Sequence, residues 1–212
     1  MDQILLHPAY FGPISQYVAL AKSKKVIFEN EDNYQKQTFR NRMYIYDSNG
    51  SLLLNIPIKH RNSLGISKKA KQKYKDIQIE NDFDWQKNHW RALKNSYQTS
   101  PFFEFYEDEL HPLYHKNFKF LMDFNYECLD FILDCLQFDI SISKTNTYEQ
   151  EVNEEVKDFR YLIDAKSKKN FKIDKYTQVF EAKHGFISNL SILDLLFNEG
   201  TNTLNYLQSQ QL

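Results

Sequence analysis

The chain reads as a mixed α/β protein, in the broad sense that includes α+β, on three observations. It opens with a strand–loop–helix–strand pattern resembling a βαβ unit, continues with a β-hairpin, and ends in a mainly helical second half that needs a central sheet to pack on. The 212 residues suit one domain, 1–212, or one domain with a C-terminal subdomain from about residue 140.

Residues 3–6 form the first predicted strand. Pro8 stops it, because proline has no N–H to give to a ladder. Pro13 suits the first turn of a helix reaching about Ser23, with Ile14, Tyr17, Val18 and Ala21 on one face. Residues 26–28 make a second strand, parallel to the first if the crossover is a βαβ unit. Residues 43–46 and 52–58 flank Asp47-Ser48-Asn49-Gly50, and Asn-Gly is a strong hairpin signal. Residues 59–75 read as a basic loop and 76–79 as another strand. Asp84 is placed to cap a helix over 85–97, Pro101 ends that segment, and a short helix follows over 102–109. Residues 118–136 carry the clearest helical period, with Leu121, Cys128, Ile132 and Leu136 facing in. Beyond 140 the strand candidates are Ile140 with Ile142, 159–163 and 178–180. Ser191 and Asp194 have capping-box spacing, Gly200 suits a C-cap, and 201–210 predicts a closing helix.

Composition narrows the function. A hydrophobic fraction of 42% and a mean hydropathy of −0.64 are those of a globular protein, and no apolar run reaches transmembrane length. The first residues have no basic, apolar leader pattern, so the expected location is the cytoplasm. A net charge of −1 argues against a nucleic-acid partner. Charge is uneven all the same: seven Lys or Arg and no acid lie in residues 59–75. Cys128 and Cys135, seven apart, read as thiols on one buried helix face. Fourteen Tyr and 17 Phe can build a core or line a sugar or base pocket.

Four constellations could carry chemistry. The first is His7-Pro8-Ala9-Tyr10-Phe11, where a strand gives way to a helix. Ligands of open α/β sheets bind beyond the carboxyl ends of strands, and the N–H groups opening the helix suit an anion. His7 would act there as general acid/base or as a hydrogen-bond donor, against the plain reading of packing at a strand end. The second is Lys36 with Arg40, Asn41 and Arg42; on a strand Arg40 and Arg42 share a face and fork toward a carboxylate or phosphate, or else protect an edge. The third is Lys68 and Lys69 after Gly65 in the basic loop, which could close over an anion or simply be solvated. The fourth is His89-Trp90-Arg91, catalytic or stacking at His89 and Trp90, with helix packing the plainer reading for Trp90. No metal site is expected: His111 and His115 are four apart, but Pro112 keeps them out of one regular helix. With five glycines and no phosphate-loop motif, no cofactor is specified, and the ligand expected from these residues is an anionic small molecule.

Taken together, the segments resemble the WbqC-like family. Its pattern opens with a strand and Gln-Pro-x-Tyr-Phe-Pro, matched by His7-Pro8-Ala9-Tyr10-Phe11. Lys-x-x-x-Arg-Asn-Arg is matched by Lys36 with Arg40-Asn41-Arg42, Lys-His-Trp by Asn88-His89-Trp90, and the Pro-Tyr/Phe-Phe motif by Pro101-Phe102-Phe103. The tail matches in Tyr176, Gln178 and Phe180 and in Leu190-Ser-Ile-Leu-Asp194-Leu-Leu-Phe-Asn198-Glu-Gly200. The resemblance implies a transferase of O-antigen or polysaccharide biosynthesis, moving an aminoacyl group such as glycyl onto an amino sugar, with a nucleotide-linked sugar as partner. His7 stands where the pattern has Gln, and Gly12 interrupts Phe-Pro. An amide cannot titrate, which favours hydrogen bonding over proton transfer at this position. Two other classes compete: a nucleotidylyltransferase-like enzyme, from His7-Pro8 with Gly12 and from Ile66-Ser67-Lys68-Lys69, and a non-catalytic sugar- or partner-binding protein.

Overall fold

The computed structural model describes residues 1–67, 70–167 and 171–212. Its centre is a four-stranded, all-parallel sheet of β1 (Gln3–Leu6), β2 (Lys25–Phe28), β5 (Ser141–Lys144) and β6 (Val156–Asp158), in the order β5-β2-β1-β6. The expected βαβ opening is present. β1 and β2 pair in parallel through Ile4 and Val26, with α1 (Ile14–Ala21) between them in sequence. Central β1 is buried at Ile4, Leu5 and Leu6 alike, as a parallel strand covered on both faces requires. Edge strand β5 is exposed along its length.

All of α1 is buried, beyond the single face its periodicity predicts, because α6 (Ile192–Glu199) and α7 (Thr203–Ser209) cover the side away from β1. The hairpin is β3 (Arg42–Asp47) against β4 (Gly50–Asn55), closed by Ser48-Asn49 with Gly50 at φ 102°. The helices α2 (Trp85–Tyr97), α3 (Phe103–Leu110) and α4 (Leu121–Leu136) follow, and α5 (Glu181–His184) is a single turn.

Several expected boundaries shift for physical reasons. β4 stops at Asn55, two residues before Pro57. Residues 76–79 start as the end of a 3-10 turn, Tyr74–Asp76, and then make only isolated bridges, Gln78 to Phe120 and Ile79 to Ile58. That bridge holds Phe120 extended, so α4 starts at Leu121 although Phe118 is buried. Residues 159–163 form a 3-10 turn, Arg160–Ile163, in place of a strand. Residues 178–180 make no ladder: the Gln178 side chain bonds the Ile187 backbone at both its amide groups. β6 lies in the acidic stretch and pairs with β1 from Val156, a strand that one apolar residue among charges does not reveal. Asp84 precedes α2 without a side-chain cap. Ser191 accepts from Leu193 N at 3.3 Å, but the Asp194 carboxylate does not complete the capping box. It turns inward to Tyr97 Oη (2.7 Å), Tyr176 Oη (2.5 Å) and Gln178 Nε2 (2.8 Å).

Gly200 ends α6 at φ 53°, and a Cβ there would stand 2.5 Å from the Phe102 ring. Gly200→Ala is therefore expected to destabilise the protein by about 1–3 kcal/mol in urea unfolding, from the left-handed backbone and the clash together. An unchanged midpoint would show that Phe102 yields freely.

Candidate functional site

The carboxyl ends of the parallel strands converge on one polar centre. β1 runs into His7 and β2 into the 29–32 segment, while β6 is followed by Arg160. Arg40, in the turn before β3, is fully buried, with His7 and Asp32 3% and 5% exposed. Arg40 Nη2 donates to Asp32 Oδ2 at 2.6 Å and lies 3.0 Å from His7 Nε2, which is itself 3.4 Å from Asp32 Oδ2. The guanidinium carbon sits 5.1 Å from the centre of the Tyr74 ring. Among the described residues, Arg40 Nε and Nη1 are buried without a hydrogen-bond partner. A cavity of about 310 Å³ opens here, lined by His7, Asp32, Thr38, Arg40, Arg160 and Asp164 among others.

Burial and the neighbouring Arg40 charge hold the His7 pKa well below the ordinary histidine value, against a smaller opposing effect of the Glu29 backbone. His7 is accordingly neutral near pH 7, and a ring nitrogen facing Arg40 accepts from it. Burial also lowers the Arg40 pKa, opposed by Tyr74 and Asp32.

The expected anion seat at the start of α1 is filled by the chain itself. Ile14 N bonds Leu190 O at 3.0 Å and Ser15 N bonds Asn189 Oδ1 at 2.8 Å. The loop from His7 to Pro13 thus divides. Its first residue faces the polar cavity, while its far end is stitched to the C-terminal segment, with Ser191 Oγ donating to Phe11 O.

Tyr10 and His89 meet each other, and neither lines the cavity at Arg40. Tyr10 is fully buried, its hydroxyl 2.9 Å from His89 Nδ1 and 2.8 Å from Tyr114 Oη. His89 also packs on Trp85, and burial pushes its pKa down to about 4. Trp90 packs on Phe103, His111 and Tyr114, in keeping with its plainer reading. Asn41 bonds Asn55 Oδ1 and Ile56 O, bracing the end of the hairpin. Lys36 is exposed on the wall of an adjoining cavity.

Arg40 and Arg42 are not brought onto one face by strand alternation as expected. Arg40 precedes the strand, so strand alternation does not align it with Arg42, the first residue of β3. Arg42 is half-buried, and both guanidiniums act on the Tyr34 hydroxyl, whose pKa burial raises and their charges pull back. Lys68 and Lys69 lie outside the described residues. His111 and His115 stack in and after a 3-10 turn, and the described residues include no group of three or more His, Cys, Asp or Glu placed to hold a metal ion.

Asp32 and Arg160 went unremarked in the sequence. Their signal is position: each follows the carboxyl end of a parallel strand, and recognising β6 would have pointed to Arg160. A larger cavity, about 670 Å³ between α3 and α4, is lined by Phe102, Phe105, Glu127, Asp130 and Asp134 with no basic side chain, which does not suit an anion. Burial raises the thiol of its Cys135 to about 12 and that of Cys128 well above the ordinary value, so neither is an activated nucleophile.

The architecture defines an α/β protein with a buried arginine–carboxylate–histidine centre at the carboxyl end of a parallel sheet. Residues 8–170 match the model of the WbqC-like protein family, and the chain belongs to that family. The uncharacterised protein Rv1507c of Mycobacterium tuberculosis is 26% identical to it, over 86% of this chain and 87% of its own. No solved structure gives a significant match. No helix among the described residues is long and apolar enough to cross a membrane.

The lowered histidine pKa values set the sign of a pH dependence. Below pH 6.5 an unfolded chain protonates His89, whereas the folded protein resists down to about pH 4, so stability falls as pH drops through that window. Between pH 7 and 5 the His89 contribution is about 2 kcal/mol, with His7 adding in the same direction. Urea unfolding of the wild type and of His89→Leu at both pH values measures it. An equal loss in both proteins would place the acid sensitivity elsewhere.

Proposed function

We propose that the protein is a transferase that joins an aminoacyl group, such as glycyl, to the amino group of a sugar in polysaccharide biosynthesis. The observation that carries this reading is the buried Arg40, whose Nη2 bridges His7 and Asp32 while Nε and Nη1 remain unmatched among the described residues, at a polar cavity of about 310 Å³. Acyl transfer to an amine needs a donor for the developing oxyanion and an acceptor for the proton the amine loses. Arg40 supplies the first. The Asp32 carboxylate supplies the acceptor in the same cavity, with Asp164 as a further acid to orient an ammonium group. In the reaction the amine nitrogen attacks the acyl carbon and the C–N bond forms. The bond from that carbon to the donor's leaving group breaks, and the amine proton passes to an acceptor. The family's association with polysaccharide biosynthesis supports the same reading, and His7 serves it first as the hydrogen-bonding partner that fixes Arg40.

A nucleotidylyltransferase-like role gains no support from the opening loop, since the amides of Ile14 and Ser15 are already bonded. A binding protein without turnover is the outcome the test must separate.

The test is conversion of a glycyl thioester and an amino hexose to the N-glycyl sugar, followed by mass spectrometry. Removing Arg40 alone leaves the Asp32 charge buried, at a penalty of about 3–5 kcal/mol, so the informative variant is Asp32→Asn with Arg40→Met. That double variant is expected to fold, by its melting transition, and to lose at least about 100-fold in turnover. Full activity in the double variant would overturn the assignment, and ligand binding with no product from the wild type would favour the binding protein.

A further inference from the structure

Two cavities meet at the candidate site. The inner one, about 310 Å³, shares Asp32, Gln35 and Tyr148 with an outer one of about 670 Å³. Tyr148 lines both cavities and Gln150 the outer one, and Arg160 pins the segment that carries them. Arg160 Nη1 donates to Glu149 O at 2.8 Å and Nη2 to Gln150 O at 3.0 Å, while the guanidinium carbon lies 5.4 Å from the Tyr148 ring centre. Asp158 accepts from Arg160 Nε at 3.0 Å and from Nη2 at 2.7 Å, which fixes the guanidinium at the end of β6.

The two compartments differ in charge. The outer wall carries Lys36, Arg61 and Lys71 against a single acid, Asp32, and that acid already faces Arg40 at 2.6 Å. Lys73 and Lys75, from the same basic stretch, are each drawn to Glu31 at 2.5 Å. Among the described residues Lys36, Arg61 and Lys71 pair with no carboxylate, and Arg61 Nη2 donates to the neutral Ser67 carbonyl at 3.0 Å. The inner compartment balances Arg40 and Arg160 with Asp32 and Asp164.

We propose that the outer cavity holds the pyrophosphate of a diphosphate-linked carrier, whose sugar reaches past the shared residues Asp32, Gln35 and Tyr148 into the inner cavity. Three cations lining one cavity exceed what one carboxylate neutralises, whereas a pyrophosphate diester brings two negative charges several ångströms apart. A planar guanidinium at Arg61 and point charges at Lys36 and Lys71 suit its oxygens. The lining charges of the inner cavity balance, whereas cations are in excess in the outer one, which sets the direction of binding. Entry of the sugar end rests on the transfer reading above; the pyrophosphate seat does not. The shared chemistry is the pyrophosphate, and the carrier is either a nucleoside or a lipid.

Calorimetric titration of the full chain at low salt tests this with inorganic pyrophosphate, UDP and geranyl diphosphate. The wild type is expected to bind at least one of the three, and Lys36→Gln/Arg61→Gln/Lys71→Gln, with an unchanged melting temperature, to bind it at least about 10-fold more weakly. Tighter binding of UDP than of pyrophosphate assigns a nucleotide carrier; tighter geranyl diphosphate assigns a lipid carrier. No binding of any probe, or binding indifferent to the triple substitution, overturns the proposal. Acylation of a free amino hexose without pyrophosphate binding removes this inference alone. Pyrophosphate binding without acylation removes the transfer reading and leaves the outer cavity assigned.

Discussion

A guanidinium with no solvent exposure is the constraint around which the sheet's carboxyl end is arranged. Arg40 cannot be buried without partners, because the penalty for an isolated internal charge exceeds what packing returns. Its partners come from far apart in the sequence: His7 after β1, Asp32 after β2, and the Tyr74 ring before α2. Its own carbonyl accepts from Asn125 of α4 at 2.7 Å, and Tyr74 Oη, bonded to the same Asn125 amide, donates to Pro8 O at 3.0 Å. The opening loop, the hairpin's approach and the longest helix are thus tied to one residue. The same ties make Arg40 rigid, and a rigid charge beside a cavity is what a polar site requires.

Asp194 plays the corresponding part on the C-terminal side. Its carboxylate is buried with no cation, so its pKa is raised by desolvation despite the hydrogen bonds that oppose the shift. Two tyrosine hydroxyls and one amide donate to it, which draws α2 and the segment before α5 onto α6. Tyr97 Oη also accepts from Tyr46 N at 3.0 Å and so carries the network into β3. This accounts for much of the aromatic content. Rings of Tyr97, Phe103 and Phe197, and of Tyr10, Trp85 and Phe124, fill the interior, while the tyrosine hydroxyls satisfy buried polar atoms at the same time. The aromatics are spent mainly on the core; Tyr148 and Tyr161 are the ones that reach the inner cavity.

The amino-acid order by itself determined the elements whose rules are local. The α1 and α4 periods, the Asn-Gly turn and the prolines that punctuate the chain all act within a few residues, and each placed an element correctly or within a few positions. It also singled out His7, at the end of the first strand, and Arg40, which the structure brings within 3.0 Å of each other. What the tertiary structure decided is who meets whom. β6 is a strand because β1 offers a parallel edge, which Val156 and its charged neighbours do not announce. Asp32 and Arg160 join His7 because three strands of a parallel sheet end at one level. Strand alternation does not align Arg40 with Arg42 because Arg40 lies in a turn, and the α1 amides leave the site because Asn189 and Leu190 reach them from the other end of the chain. Local patterns report backbone preference, whereas burial of a charge or an amide is settled by partners beyond the reach of a local pattern, 33 residues apart for Arg40 and His7 and 174 for Ser15 and Asn189.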